Sequence, residues 1–258
     1  MNLLTSLSCF SLFFILCFQE LVCQEEFYSK YSCDNVDIRS FIVDKHNELR
    51  SLVQPPPANM LKMEWHEPAA DNARSWAKAC PTGHSKIEIR RTSNWGCGEN
   101  LYFSSRLVSW LKVLLGWWGE KDDFEYGKGA VAEGKVIGHY TQFVWHKSFQ
   151  LGCALHFCPQ NSFSYVYVCH YCPSGNEQKY INIPYIPGQL CENCAGACTE
   201  EGLCTNYCWY LDVYEECKDM EDMCDASEES MEEDFKVRNI CEETCLCNRQ
   251  LGNNRQLY

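Results

Sequence analysis

The first helical pattern of the chain lies shortly before a run of three prolines. Asp37 is a good N-cap residue, and the prolines at 55–57 end the pattern because proline cannot continue a helix. The apolar residues that share one face of this predicted helix are Ile38, Phe41, Ile42, Leu49 and Val53. This face is therefore expected to pack against a core.

Further periodic patterns predict two helices and a hairpin. One helix begins near Pro68 and buries Ala69, Ala70, Ala73, Trp76 and Ala77. Another spans about 110–124. Residues 151–157 and 165–171 alternate between apolar and polar on either side of the turn-prone residues 159–162, which is typical of a β-hairpin. Helices flanking a mostly antiparallel sheet indicate an α+β layered fold.

An uncharged apolar stretch, LLTSLSCFSLFFILCF, occupies residues 3–18. It is shorter than the roughly 20 apolar residues that a membrane span needs. We interpret residues 1–23 as a secretory signal peptide cleaved after Cys23, with a buried N-terminal helix as the alternative. The sequence thus predicts a secreted, extracellular protein.

Cysteine and charge both distinguish this composition. The 258 residues include 20 cysteines, which an oxidising compartment converts to disulfides. The formal net charge of −13 argues against nucleic acid and anionic membranes as partners. Most of this charge lies at the C-terminal end, where residues 191–258 hold 17 acidic and 5 basic residues.

The chain divides into two parts that differ in cysteine density. Residues 37–185 are rich in apolar patterns, whereas residues 191–247 hold ten cysteines. The stretch 173–189, with its prolines and glycines, is predicted to be a linker. The C-terminal part is too small and polar for its own core, so disulfides must stabilise it, each by roughly 2–4 kcal/mol. The alternative, against which the signal peptide argues, is a zinc site of Cys191, Cys194, Cys198 and Cys204.

Five short motifs carry a family resemblance. They are HNELR at 46–50, CGEN at 97–100, GHYTQFVW at 138–145, YVCHYCPSGN at 167–176 and LCTN at 203–206. The first four resemble the signatures of the CAP superfamily. The ten-cysteine segment resembles the hinge and cysteine-rich domain of the cysteine-rich secretory proteins (CRISPs).

This resemblance implies a domain organisation. Residues 37–185 would form an α-β-α sandwich, the CAP domain. Residues 186–206 would form a hinge, and residues 207–247 a small cysteine-rich domain similar to potassium-channel toxins of sea anemones. The signal peptide precedes these domains, and a tail at 248–258 follows them.

The resemblance also implies the pairing of sixteen cysteines. The sandwich pairs would be Cys80–Cys158, Cys97–Cys172 and Cys153–Cys169. The hinge pairs would be Cys191–Cys198 and Cys194–Cys204, and the last three would be Cys208–Cys247, Cys217–Cys241 and Cys224–Cys245. Cys33 remains as an extra cysteine, either free to form an intermolecular disulfide or bridged to Cys23.

Four residues match the cavity of the CAP fold and suggest a metal site. His84 and His139 match its paired histidines, and Glu99 and Glu120 its paired acids. Converging imidazoles and carboxylates are usual ligands of Zn²⁺. The alternative is a hydrogen-bonded polar cluster that supports the fold. His46, on the first helix, is predicted to be a packed core residue.

One functional hypothesis is a hydrolase, in which Zn²⁺ polarises a bound water and a glutamate accepts its proton. The sequence contains no H-E-x-x-H helix and no G-x-S-x-G elbow, and Ser85 is an unconvincing nucleophile because it adjoins His84 in the chain. We therefore predict no enzymatic activity.

A binding role is the favoured hypothesis. The CRISP resemblance implies roles in the male reproductive tract, in sperm–egg interaction and in regulation of ion channels such as calcium channels, with a venom-type channel toxin as the alternative. The expected partners are sperm or egg surface components or an ion channel, and a sterol ranks low. The acidic residues 212–234 oppose direct plugging of a cation channel, and the run 227–234 is predicted to be a solvated loop.

Overall fold

The structure is a computed structural model, and it describes residues 29–208, 215–220, 224, 241 and 243–247. The predicted signal peptide, the tail and the acidic run 227–234 lie outside the described residues. No helix within the described part combines the length and apolarity needed to cross a bilayer.

The first helix, α1, spans Val36–Arg50. Its N-cap is Asn35, whose side chain accepts a hydrogen bond from the backbone N–H of Asp37 at 2.9 Å. The prediction of Asp37 as N-cap was therefore wrong by two residues, and Asp37 lies in the first turn. Phe41 is 37% exposed, so the predicted apolar face was also partly wrong. The buried face of α1 consists of Ile42, His46, Asn47, Leu49 and Arg50.

Three more helices surround the sheet. Helix α2 spans Glu67–Lys78 and buries four alanines as predicted, while Trp76 is only half-buried. Helix α3 spans Trp110–Gly119, shorter than predicted because a 3-10 turn, Glu120–Asp123, follows it. Helix α4, Gly138–Phe143, was not predicted.

The main sheet has four strands in two long antiparallel pairings and one short parallel pairing. Its strands are β1 (Glu64–Trp65), β2 (Gly98–Ser104), β5 (Gln150–Phe157) and β6 (Tyr165–Cys172), in the spatial order β1-β5-β6-β2. The predicted hairpin is confirmed as β5 and β6, whereas β2 was not predicted. A separate small hairpin joins β3 (Phe124–Glu125) and β4 (Gly129–Ala130).

The layers form an α-β-α sandwich, so the predicted α+β fold class is confirmed. Ala73 and Ala77 of α2 pack on one sheet face with Val166 and Val168, while α1, α3 and α4 cover the other face. Helix α2 comes very close to the sheet, because a Cβ on Gly152 would lie 2.1 Å from the backbone nitrogen of Ala70. Small residues on both sides of this contact make the close approach sterically feasible.

The predicted linker is packed against the sandwich. Ala58 N–H donates to the Ile186 carbonyl at 2.8 Å, and His146 N–H donates to the Pro184 carbonyl at 2.9 Å. Tyr185 is 1% exposed. The linker prediction did not indicate this packing, because prolines and glycines mark turns and do not reveal which other backbone satisfies the chain.

The predicted hinge also contacts the sandwich. Cys204 exchanges backbone hydrogen bonds with the segment after α1, donating to the Met60 carbonyl and accepting from Lys62 N–H, both at 2.8 Å. The ring of Tyr207 stacks on Phe149 with centroids 4.5 Å apart. The beginning of the cysteine-rich segment is therefore fixed to the sandwich.

The structure contains eight disulfides, and their pairs are those that the family resemblance implies. Cys191, Cys194, Cys198 and Cys204 are all in disulfides, so their sulfurs are not available as zinc ligands. Cys33 is free and 4% exposed, and burial, with Asp34 nearby, raises the pKa of its thiol. This burial disfavours the expected intermolecular disulfide through Cys33, which stays a prediction, and the alternative partner, Cys23, lies outside the described residues.

Two histidine–glutamate pairs at the edge of the sheet

The first pair joins His84 to Glu99. Glu99 lies on β2, directly across from His170 of β6. Its Oε1 lies 2.8 Å from His84 Nδ1, and its Oε2 lies 3.0 Å from His170 Nε2. Ser85 donates to both carboxylate oxygens, through its backbone N–H at 2.9 Å and its hydroxyl at 2.8 Å. The buried carboxylate is thus fully surrounded by donors.

These donors keep Glu99 ionised. Burial alone would raise its pKa, but hydrogen bonds from His170, His84 and the Ser85 backbone hold the pKa well below its usual range. Burial lowers the pKa of His170, against the raising effect of Glu99, and favours a neutral His170 ring. The cluster therefore carries its negative charge on Glu99.

The second pair joins His139 to Glu120. Glu120 opens the 3-10 turn after α3, and His139 is the second residue of α4. Glu120 Oε1 lies 2.6 Å from His139 Nδ1, while Oε2 accepts from the backbone N–H groups of His139 at 2.8 Å and Tyr140 at 3.1 Å. The Trp117 ring stacks on the His139 ring, with ring centroids 6.4 Å apart. Two helix ends and one aromatic ring hold this pair.

The two pairs belong to opposite faces of β2. Glu99 shares its face with Leu101, which packs toward α2, because side chains alternate along a strand. Asn100 points to the other face, where its amide donates to the His139 carbonyl at 3.0 Å. Strand β2 is the edge strand of the sheet, so the two pairs flank its free edge.

Each pair has the arrangement that supports a metal-binding histidine. In each pair Nδ1 is bound to a carboxylate, and Nε2 makes no hydrogen bond within the described part of the chain. A carboxylate on one ring nitrogen is the usual support for a histidine that binds metal through the other. The glutamates therefore act as supports, which differs from a cluster in which all four side chains converge on one ion.

The other groups of potential metal ligands in the described residues each contain disulfide-bonded cysteines. Ligand atoms of Cys80, His156 and Cys158 lie within 4.8 Å of one another, as do those of Cys191, Cys194 and Cys198. Since these cysteines are oxidised, neither group offers the thiolates that a metal requires. The His–Glu pairs are the better candidates.

The described contacts of the Ser85 hydroxyl include no histidine that could activate it. Its hydroxyl donates to Glu99 Oε2 and accepts from Arg90 Nη1 at 3.3 Å. A nucleophilic serine donates its proton to a histidine, as in a Ser-His-Asp triad. The arrangement at Ser85 is instead that of a residue that orients a carboxylate.

His46 lies in the core, as predicted. It is 0% exposed, and its Nδ1 and Nε2 lie 2.7 Å from the Ile42 carbonyl and 3.0 Å from the Tyr171 hydroxyl. Burial lowers its pKa to about 3, so the ring is neutral near physiological pH. His46 supports the fold and is not part of either pair.

Sequence reasoning missed the two residues that complete the first pair. His170 lies within a recognised motif, but its contact with Glu99 spans 71 residues of sequence. Ser85 had been considered only as a nucleophile. A sequence signal for His170 would have been the pairing of β2 with β6, which was not predicted, whereas Ser85 lies in the segment before β2 and outside that pairing.

Comparisons with known proteins extend over nearly the whole described chain. Residues 43–171 match the family "CAP: Cysteine-rich secretory protein family", and residues 191–252 match "Crisp". Cysteine-rich secretory protein 1 of Mus musculus is 43% identical over 224 residues, covering 87% of this chain and 88% of that protein. Cysteine-rich secretory protein 2 of Homo sapiens is 43% identical over 217 residues, covering 84% and 86%.

Solved structures support the same fold. Na-ASP-1 is 33% identical with a TM-score of 0.55, covering 65% of this chain, while this chain spans only 46% of that structure. NaASP2, solved with Zn²⁺, is 28% identical with a TM-score of 0.53, covering 66% of this chain and 96% of that one. Secreted relatives and eight disulfides indicate an extracellular protein. The chain belongs to the cysteine-rich secretory protein family.

Proposed function

We propose that this protein binds components of the sperm or egg surface during fertilisation, regulates calcium-permeable channels from outside the cell, and catalyses no reaction. Family membership supports extracellular binding, and the reproductive role follows the resemblance described above. The arrangement of Ser85, whose proton goes to Glu99, supports the absence of hydrolysis.

The observation that carries a binding role is the crosslinking of the cysteine-rich segment. Three disulfides crosslink it, and Tyr207 and Cys204 hold its beginning against the sandwich. A crosslinked surface loses less conformational entropy on binding than an open chain does. Such a surface suits recognition of a membrane protein.

Charge favours a basic partner. Residues 212–234 contain twelve acidic residues and one lysine. Like charges across an interface oppose association, and a cation channel presents an acidic mouth. Regulation of a channel would therefore proceed through a basic outer surface and not through insertion into the pore.

Binding is tested with the labelled full-length mature protein on sperm and on eggs. We expect saturable binding that unlabelled protein displaces, weakened at least about tenfold when four glutamates of the acidic run are changed to glutamine. Those four are Glu228, Glu229, Glu232 and Glu233. The control changes four exposed glutamates of the sandwich: Glu64, Glu88, Glu133 and Glu177. Non-saturable binding contradicts the surface-binding proposal, and equal effects of the two variants contradict the role of the acidic run.

The channel part has a separate test. Calcium currents of sperm are recorded before and after addition of the full-length protein, and the proposal expects a reversible change in current. An unchanged current, with surface binding retained, removes the channel part alone. A venom-type toxin would instead block potassium or calcium currents in cells that lack any reproductive receptor.

Zinc binding is a second proposed function. It is supported by the two free Nε2 atoms and by the carboxylate on each Nδ1. Zinc would crosslink the two flanks of β2 and polarise the water in its remaining coordination positions. Calorimetric titration is expected to give binding that His84→Ala and His139→Ala each abolish. Binding that persists in both variants contradicts this site.

Hydrolysis and sterol binding are checked with the same purified protein. We expect no cleavage of peptides or esters with or without zinc, and cleavage that His84→Ala abolishes would overturn the non-enzymatic proposal. A sterol ranks low as a ligand, and we expect none to be retained in a pull-down.

A further inference from the structure

We propose that Ser85 is a positioning residue, whose hydroxyl and backbone N–H together fix Glu99 and thereby the tautomer and ring orientation of His84. The effect of Ser85 on metal affinity rests on the proposed zinc site, whereas the effect of Ser85 on the His84 ring does not. The two hydrogen bonds from one residue to both carboxylate oxygens carry this inference.

The first step is the orientation of the carboxylate. Ser85 N–H donates to Oε1 at 2.9 Å, and the hydroxyl donates to Oε2 at 2.8 Å. Two donors from a single residue hold both oxygens and so oppose rotation of the carboxylate about its terminal bond. The Glu99 side chain is 0% exposed, so water does not compete for these positions.

The second step is the direction of the serine proton. Arg90 Nη1 donates to the Ser85 carbonyl at 2.7 Å and to the Ser85 hydroxyl oxygen at 3.3 Å. Because a guanidinium only donates, the hydroxyl serves as acceptor toward Arg90 and directs its own proton to Glu99. Arg90 thus helps to direct the Ser85 hydroxyl proton toward Glu99.

The third step passes from Glu99 to His84. Both Glu99 oxygens already accept hydrogen bonds from Ser85, so in the 2.8 Å contact with Oε1 the Nδ1 atom is the donor and carries the proton. In the neutral ring Nε2 then has a free lone pair, which is the form that binds a metal. The His84 side chain is 59% exposed, so neighbouring side chains restrain it little and Glu99 is its main fixed contact.

The second pair does not need such a residue. Glu120 is held by two backbone N–H groups, from His139 and Tyr140, and the His139 side chain is only 29% exposed. The inference therefore predicts that a single hydroxyl matters for His84 and not for His139.

The test compares Ser85→Ala with Ser85→Thr, which keeps a hydroxyl, and with Ser93→Ala, an exposed serine of the same loop. In zinc-free full-length protein, long-range ¹H–¹⁵N NMR reports the tautomer of each histidine. We expect the Nδ1–H form of His84 in the wild type, in Ser85→Thr and in Ser93→Ala. Ser85→Ala is expected to populate the other tautomer or to broaden the His84 signals, with His139 unchanged.

Zinc titration of the same proteins provides the second readout. Loss of a residue that orients a metal ligand through another residue typically lowers affinity about 10–100-fold. We expect the lower end of this range for Ser85→Ala, with near wild-type affinity for Ser85→Thr. If the wild type binds no zinc, the zinc proposal fails while the tautomer measurement still decides the role of Ser85.

The inference is overturned if folded Ser85→Ala keeps both the wild-type tautomer of His84 and the wild-type affinity. If Ser85→Ala fails to fold, Ser85→Cys takes its place, because a thiol fills similar space but is a weak donor. A Ser85→Cys protein that retains the wild-type tautomer then contradicts the role of the hydroxyl.

Discussion

Arg50 offers the sharpest test of how the sandwich is held together. It is 0% exposed, and its guanidinium donates to five backbone carbonyls without pairing with any described acidic residue. These carbonyls belong to Leu61, Phe143, Trp145, His146 and Ser148. One side chain of α1 thus satisfies the backbone of two loops, including the loop that connects α4 to β5.

The perturbation is Arg50→Lys, which keeps the charge but changes the donors. An ammonium has three N–H donors at one point, so at least two of the five carbonyls lose their hydrogen bond to residue 50. Each hydrogen bond from a charged donor contributes about 1.5–3 kcal/mol. We therefore expect the free energy of unfolding to fall by about 3–5 kcal/mol. A domain of this size would lose about 10 °C in Tm, at 2–4 °C per kcal/mol.

The assay is denaturant unfolding followed by tryptophan fluorescence, with the disulfides intact. Arg106→Lys is the control, because Arg106 is exposed and its side chain makes no described contact. The control is expected to change the free energy of unfolding by less than about 0.5 kcal/mol. If Arg50→Lys also changes it by less than about 1 kcal/mol, the five carbonyls find other donors and this reasoning is refuted.

Three further predictions follow from buried groups. Burial lowers the pKa of His46 from 6.5 to about 3. Between these pH values the imidazole is protonated in the unfolded chain but not in the folded chain. The free energy of unfolding should therefore fall as the pH drops from about 6.5 to 3. Denaturant midpoints measured across this range should show a shallower slope for His46→Gln; an identical slope would reject the assignment. Gly152→Ala should lower the free energy of unfolding by at least about 2 kcal/mol, because the added methyl group clashes with α2. Gly83→Ala is the control, because open space surrounds Gly83 and no clash is expected. Calorimetric Tm values of the two variants test this difference. Cys33 should resist iodoacetamide in the native protein and react after denaturation without reductant, as intact mass would report; rapid labelling of native protein would disprove its burial.

Local patterns predicted the parts of the fold whose partners lie nearby in sequence. The alanines of α2 predicted its buried face, and the alternation of 151–157 and 165–171 predicted the hairpin. Strand β2 was not predicted, because its pairing with β6 connects residues about 70 apart and because its residues include the buried Glu99. The packing of the predicted linker was not predicted for a similar reason, since its hydrogen-bond partners lie on segments far away in the chain.

The candidate site was only partly visible in the sequence. The motif resemblance named His84, His139, Glu99 and Glu120, but the sequence alone did not determine which atoms meet. The structure separates them into two pairs on opposite faces of an edge strand and adds His170 and Ser85 to the first. The contact with His170 depends on the register of β2 against β6, and the contact with Ser85 depends on the path of the segment before β2; both are properties of the assembled fold.

The sequence by itself determined the abundance of cysteine, the acidity of the C-terminal segment and the face of α2 that packs inward, because these depend on composition or on neighbours a few residues apart. The tertiary structure alone decided that Cys33 is buried, that the segment after β6 packs against the sandwich, and that Glu99 accepts hydrogen bonds from three residues, His84, Ser85 and His170. Each of these depends on burial and on hydrogen-bond partners brought together across long stretches of chain, for which local periodicity carries no information.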